Sequence, residues 1–220
     1  MPIKLSSRFS VERAHATQLQ LSKRVIREDQ LPEFIHYVGG VDVAYARGVS
    51  IGVVAVLDFA SLSLVEAEVS RLKTRFPYIP TLLSFREIPP ALSAIRRLQV
   101  RPDVLLVDGQ GVAHPYRLGF ASHLGLTVDR PTVGVAKTLL CGKVEPFDDR
   151  NWAPITDGGE VIGAAVVTRP ERKPVYVSVG HRVSLERSIR ITMHCARASR
   201  VPEPIRRAHM IASEEKRKPR

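Results

Sequence analysis

Three strand-like runs follow one another at residues 37–46, 51–59 and 64–72, and this closely spaced set limits the possible fold more than any other feature. Each run is rich in Val, Ile and Ala or Leu. The connections Arg47-Gly48 and Ala60-Ser61 are short enough to demand hairpins, so the three runs form an antiparallel meander. Ile51 to Phe59 is almost continuously apolar, as a strand covered on both faces must be. Gly39-Gly40 in the first run marks a close backbone approach or a bulge. After residue 80 the rhythm changes. A helical region begins over Thr81 to Glu87, is expected to break at Pro89-Pro90, and resumes from Ala91 to Leu98. Asp103 to Val107 reads as a buried strand ending at Asp108-Gly109, Arg117 to Leu124 as a helix, and Thr132 to Val135 as a further strand. Such alternation implies parallel strand-helix-strand units attached to the meander. Val161 to Thr168 and Val175 to Val179 read as a later hairpin, and Leu185 to Ala196 as a helix. Residues 10–30 read as an opening helix, capped by Ser10 and ended by Pro32.

Three antiparallel strands followed by strand-helix-strand is an α/β order, that of a ribonuclease H-like mixed sheet flanked by helices. The chain has 220 residues, 44% of them hydrophobic, which suits one domain with one sizeable core. No repeat or linker divides it, and residues from about 211 onward read as a basic, flexible tail. In this architecture the first and fourth strands are neighbours, and each carries an acid. Asp42 is flanked by valines, an unusual setting for a carboxylate whose burial without a partner is costly. Asp108 ends an apolar strand, where α/β sheets place ligands. Taken singly, Asp42 is equally consistent with a structural ion pair, and Glu87 with a pairing to Arg86. Taken together, two acids on adjacent strands and a glutamate from the intervening helix supply hard oxygen ligands for Mg²⁺.

Charge supports that reading. Lys and Arg number 33 against 22 acids, a net charge of +11, so the surface attracts polyanions such as nucleic acid. From His181 onward there are 11 basic residues and 4 acids. Arg187, Arg190 and Arg197 could face phosphates there, whereas Lys216, Arg217, Lys218 and Arg220 could simply be a solvated end. An acidic pocket in a basic, polyanion-binding protein repels its substrate unless a metal neutralises it. Lys137, after the strand Thr132 to Val135, is placed to meet a phosphate. The two cysteines, Cys141 and Cys195, have no metal-site spacing and are too few for a disulfide framework, so reduced thiols in a cytoplasmic protein are expected. No apolar run reaches transmembrane length and no signal-peptide core is evident.

Other chemistries lack their motifs. There is no His-Glu-x-x-His, no paired Cys-x-x-Cys, no complete dinucleotide fingerprint, no Walker A loop and no Gly-x-Ser-x-Gly elbow. Phe76-Pro77-Tyr78-Ile79-Pro80 is a short loop stiffened by two prolines. It is either a lid over the core or a wedge that enters a base stack and helps extract a base.

Several long runs resemble the endonuclease V family. They are Pro77 to Pro80 with Leu82 to Glu87, Asp108-Gly109-Gln110-Gly111 through His114-Pro115, Ala121 to Gly125, Pro131 to Lys137, and Leu140-Cys141-Gly142. The resemblance extends from about Asp42 to His209. It implies a Mg²⁺-dependent endonuclease (Mn²⁺ substituting) acting on hypoxanthine in deoxyinosine-containing DNA. The cut falls at the second phosphodiester bond 3′ to the lesion and leaves 3′-hydroxyl and 5′-phosphate ends. Carried over by motif, Asp42 and Asp108 are metal ligands, and Glu87 completes the acidic site through water. Lys137 meets the scissile phosphate, His209 lies near the attacking water, and His114 lies beside the site. The wedge is Pro77, Tyr78, Ile79 and Pro80, and backbone groups near Thr81, Leu83 and Gly109 read the base. Two positions depart from the pattern: Thr81 stands where glycine is usual, and Tyr116 where arginine commonly follows His-Pro. A monomer is expected, and the lack of a membrane-length apolar run leads to the expectation of no membrane partner. An endoribonuclease for inosine-containing RNA is the alternative within the fold, and a non-catalytic binder of unusual nucleic-acid structure the alternative outside it.

Overall fold

The computed structural model describes residues 10–197 and 199–218. Helix α1 (Val11–Ser22) leads into strands β1 (Tyr37–Ala46), β2 (Val49–Asp58) and β3 (Leu64–Lys73), then helix α2 (Leu83–Ile95). Strand β4 (Val104–Asp108), helix α3 (Phe120–Val128) and strand β5 (Thr132–Ala136) follow. Strands β6 (Lys143–Val144), β7 (Trp152–Asp157), β8 (Glu160–Val166) and β9 (Val175–His181) precede helices α4 (Leu185–Cys195) and α5 (Glu203–Arg217). One mixed sheet runs in the order β3-β2-β1-β4-β5-β9-β8-β7-β6. The meander is present, with β4 parallel to β1 and β5 parallel to β4. This is the ribonuclease H-like arrangement expected.

The β1–β2 turn uses left-handed backbone at both Arg47 and Gly48, φ 49° and 79°, matching the twist of a two-residue hairpin. Val38, Ile51, Val53, Leu106, Val133 and Val177 point to one face and pack with Ile189 and Ile205 of α4 and α5. Val41, Val54, Leu105 and Val107 point to the other face and pack with Ala91, Ala94 and Phe120 of α2 and α3. Because strand side chains alternate, Asp42 and Asp108 fall on the α5 face, in step with Gly40 and Leu106. Val41 pairs with Val107, so the two acids emerge side by side.

Two glycines set how closely the helices approach. A Cβ on Gly40 would lie 2.0 Å from the Pro204 backbone of α5, and one on Gly52 would lie 2.3 Å from the Pro90 backbone of α2. The approach expected of Gly39-Gly40 is thus realised at Gly40, with β1–β2 register unbroken.

Four sequence expectations need correction. The opening helix ends at Ser22 rather than near residue 30, because the chain turns to pair with the end of β9. There Ile26 N–H donates to His181 Nδ1 at 3.2 Å, and Arg182 N–H donates to the Ile26 carbonyl at 2.7 Å. Helix α2 is continuous through Pro89 and Pro90. The prolines forfeit two helical hydrogen bonds, but the backbone there is seated on Gly52 and Ser70 Oγ donates to the Pro90 carbonyl at 2.6 Å. Helix α3 begins at Phe120 rather than Arg117, whose φ of 52° is incompatible with a right-handed helix. Finally, α5 continues to Arg217 with Ala212 buried, so residues 211–217 are docked helix rather than tail. Residues 219 and 220 lie outside the described residues. Strands β6 and β7 and helix α5 had no counterpart in the sequence reading.

Gly40→Ala is expected to lower the unfolding free energy by about 2–3 kcal/mol, since the obstructing atoms are backbone. Gly158→Ala meets open space at φ +61° and should cost only the left-handed penalty, about 1 kcal/mol. Urea denaturation of the two variants checks the contrast.

Candidate active site

Asp42 is almost fully buried, and one carboxylate oxygen accepts its neighbour's Val43 N–H at 2.8 Å. Its other oxygen lies 2.9 Å from Nδ1 of His209, carried by α5. Asp108, at the C-terminal end of β4, accepts a hydrogen bond from Lys137 Nζ at 2.6 Å. Lys137 directly follows β5, so adjacent parallel strands place the pair. One ligand atom from each of Asp42, Asp108 and His209 lies within 4.8 Å of the other two. Two carboxylates and an imidazole at that spacing suit a divalent cation, to which they offer hard oxygen and borderline nitrogen donors.

Glu87 reaches the same region from α2, on the opposite layer, but stands outside this three-residue group. Burial pushes its carboxyl up to about 8, and the charges of Asp42 and Asp108 push in the same direction, while Arg86 opposes. Asp108 is also raised, by burial first, with Lys137 opposing and Asp42 adding repulsion. Arg86 lies 3.9 Å over the ring of Tyr45, whose hydroxyl is raised by burial and by the Glu87 charge. Three carboxyls thus crowd one site at the cost of ionisation, and a bound divalent cation would favour their ionised forms.

Beside the acids opens a cavity of about 450 Å³, lined among others by Tyr78, Thr81, Leu83, Glu87, Asp108, Gly109, His114 and Lys137. Such a volume lies within the range of cavities that take small organic ligands. His114 is buried and pulled down to about 4, by desolvation first, so it is neutral near pH 7. Its Nδ1 accepts the Tyr116 N–H at 3.2 Å. Tyr78 is 69% exposed at the rim, between Pro77 and Pro80. Thr81 adopts φ +68°, a left-handed conformation costing a β-branched residue roughly 1–2 kcal/mol. Gln110 was read only as part of a glycine motif, yet its Nε2 donates to the Thr138 carbonyl at 3.0 Å and ties the Asp108 loop to that of Lys137.

Of the residues singled out by sequence, Asp42, Asp108 and His209 meet directly. Glu87, Lys137, His114, Tyr78, Pro80, Thr81, Leu83 and Gly109 line or adjoin the cavity. The arginine stripe does not. Arg187 and Arg190 border a separate cavity with Phe34 and His194, and Arg197 donates to the Ala60 carbonyl at 2.9 Å.

The family model described as Endonuclease V matches residues 19–210. This chain belongs to the endonuclease V family. A relative from Thermofilum pendens, Endonuclease V, is 47% identical over 211 residues, 96% of this chain and 90% of the relative. The crystal structure of the endonuclease V from Streptomyces avermitilis superposes with a TM-score of 0.88 at 38% identity, covering 98% of this chain and 97% of that one. Endonuclease V from Ciona intestinalis, in complex with a 24-mer DNA containing an inosine followed by a ribo-adenosine, gives a TM-score of 0.85 at 30% identity over 93% and 97%. The chain is accordingly a nuclease, and every residue of the acidic site falls within the span shared with the endonuclease V family.

The raised Glu87 carboxyl fixes a sign for pH dependence in chelator-treated protein. A carboxyl with a raised folded-state pKa holds more protons folded than unfolded, so stability falls as pH rises from about 4.5 to about 8 and then levels. Asp108 adds to the same trend. Glu87→Gln should flatten much of the decline, as read from urea midpoints across that range.

Proposed function

We propose that this protein is a Mg²⁺-dependent deoxyinosine endonuclease of DNA repair, cleaving the second phosphodiester bond 3′ to hypoxanthine and leaving 3′-hydroxyl and 5′-phosphate ends. The observation that carries this reading is the convergence of Asp42, Asp108 and His209 at the edge of a cavity of about 450 Å³. A cation site and a base-sized cavity side by side suit an enzyme that holds an extracted base while cutting nearby backbone.

In this reading Asp42 and Asp108 would hold Mg²⁺ directly (Mn²⁺ substituting), and Glu87 would act through water. When bound, the ion would supply charge to polarise a phosphate and to lower the pKa of water. His209 Nδ1, already against Asp42, orients the carboxylate, and the imidazole would lie beside an attacking water. Lys137 balances Asp108, and its half-exposed ammonium group can meet the scissile phosphate. Tyr78, prominent on a proline-stiffened loop, fills the gap left by the extracted base. Neutral His114, with backbone at Thr81, Leu83 and Gly109, surrounds that base. The domain acts as a monomer in the cytoplasm and has no membrane partner, a reading with which the absence of any membrane-length apolar helix among the described residues is compatible.

The Ciona complex, with its ribo-adenosine following the inosine, also favours a second reading, cleavage of inosine-containing RNA. Parallel assays on sequence-matched DNA and RNA oligonucleotides rank the two.

The deciding experiment is cleavage of a duplex with one deoxyinosine, with and without Mg²⁺, and with product ends mapped. Cleavage should require the ion, and Asp108→Ala should lower the rate roughly 10³-fold or more. Unchanged cleavage by that variant, or none by the parent protein, sinks the mechanism. Tyr78→Ala should weaken binding of the lesion duplex while leaving Mn²⁺ affinity unaltered by calorimetry. Equal affinity for lesion and plain duplex in both proteins refutes the wedge.

A further inference from the structure

Helix α1 lies behind the base cavity, and two of its side chains reach the cavity wall. Gln18 is fully buried, and its Nε2 donates to the carbonyls of Thr81 at 2.8 Å and Leu118 at 3.2 Å. The remaining amide oxygen has no partner among the described residues, so Gln18 is committed to those two carbonyls.

His15, one turn earlier, makes two different contacts. Its Nε2 lies 3.0 Å from Thr81 Oγ1, and its ring stacks on Tyr116 with centroids 4.0 Å apart at 14°. The direction of the first contact is set by the other bond of the Thr81 hydroxyl. The Thr81 hydroxyl donates to the Pro80 carbonyl at 2.5 Å, so its oxygen must accept from Nε2–H of His15. The hydroxyl is thus spent on both sides and offers no free donor to a base in the cavity. The second contact continues inward, because Tyr116 N–H donates to Nδ1 of His114, which lines the cavity. One imidazole therefore fastens two walls, and one of them is a threonine held at φ +68°, where a β-branched residue persists only if its surroundings enforce it.

We propose that His15 is a specificity-determining positioning residue, which holds Thr81 and the Tyr116–His114 wall in one arrangement and so sets which nucleobase the cavity accepts. This rests on the base-cavity reading given above. With the imidazole in place, a base at this wall meets an occupied hydroxyl and a neutral, oriented His114. Without it, only the Pro80 carbonyl holds the Thr81 hydroxyl, which can then swing out of that bond and hydrogen-bond to bases other than hypoxanthine.

The test is a double-mutant cycle of His15→Ala and Thr81→Gly, assayed on matched duplexes containing deoxyinosine, deoxyuridine or deoxyadenosine at one position. His15→Ala should lower the preference for deoxyinosine roughly tenfold, the effect of one lost hydrogen bond. The change should fall on KM and on duplex affinity measured in chelator, with kcat within about twofold. In the Thr81→Gly background the same substitution should shift selectivity by less than about twofold, because glycine needs no support at that φ and has no hydroxyl to hold. His15→Phe keeps the ring against Tyr116 but has no donor, and should reproduce most of the alanine effect while guarding against loss of α1. Equal selectivity changes in the parent and Thr81→Gly backgrounds, or unchanged selectivity in His15→Ala and His15→Phe, overturn the proposal. A parent protein with no deoxyinosine preference removes the base-cavity reading itself, whereas a selective parent with selective His15 variants removes only the role of His15.

Discussion

Two helix backbones rest directly on two sheet glycines, and the site follows from those contacts. Gly40 admits the first turn of α5 against β1, and Gly52 admits the proline-bearing turn of α2 against β2. Because these strands are neighbours in the meander, the helices grip adjacent strands from opposite faces, three residues apart in register. The first contact delivers His209 to Asp42, and the second brings Glu87 to the seam between β1 and β4. Any larger side chain at either glycine would have to displace backbone, which close-packed interiors resist. The seating of the two helices that carry Glu87 and His209 is therefore held by main-chain contact.

The electrostatics of the seam run against the rest of the molecule. A chain of net charge +11 concentrates Asp42, Glu87 and Asp108 at one point, largely shielded from water. Lys137 pairs with Asp108, His209 Nδ1 lies 2.9 Å from Asp42, and Arg86 is drawn onto Tyr45 beside Glu87. The result is a cluster of acids within a positive surround. A polyanion is attracted to the surface as a whole, and the cluster of acids is a place where a cation can mediate.

Much of this was legible in the sequence because it depends on local pattern. The meander, β4, β5 and the adjacency of Asp42 and Asp108 follow from apolar runs, short turns and strand order. Helix α5 was not legible: its buried apolar side chains are few (Ile205, Ala208 and Ala212), and its charged end reads as tail. It is helical because the sheet face beneath Gly40 accepts it, a tertiary cause that local propensity does not carry. The same holds for Pro89-Pro90, whose usual helix-breaking effect is overridden by packing on Gly52, and for α1, cut short by pairing with β9. Thr81 and Tyr116, visible in the sequence only as departures from a family pattern, turn out to touch the same imidazole.

The pair His209–Asp42 joins positions 167 residues apart, one near the start of the sheet and one on its final helix. During synthesis the meander and β4 emerge first, carrying both aspartates, while the imidazole and the helix covering their face of the sheet come last. Until α5 docks, that sheet face is open and its acids lack their nitrogen partner. A nascent chain that has not yet docked α5 thus has the two carboxylates without the imidazole that meets them in the folded protein.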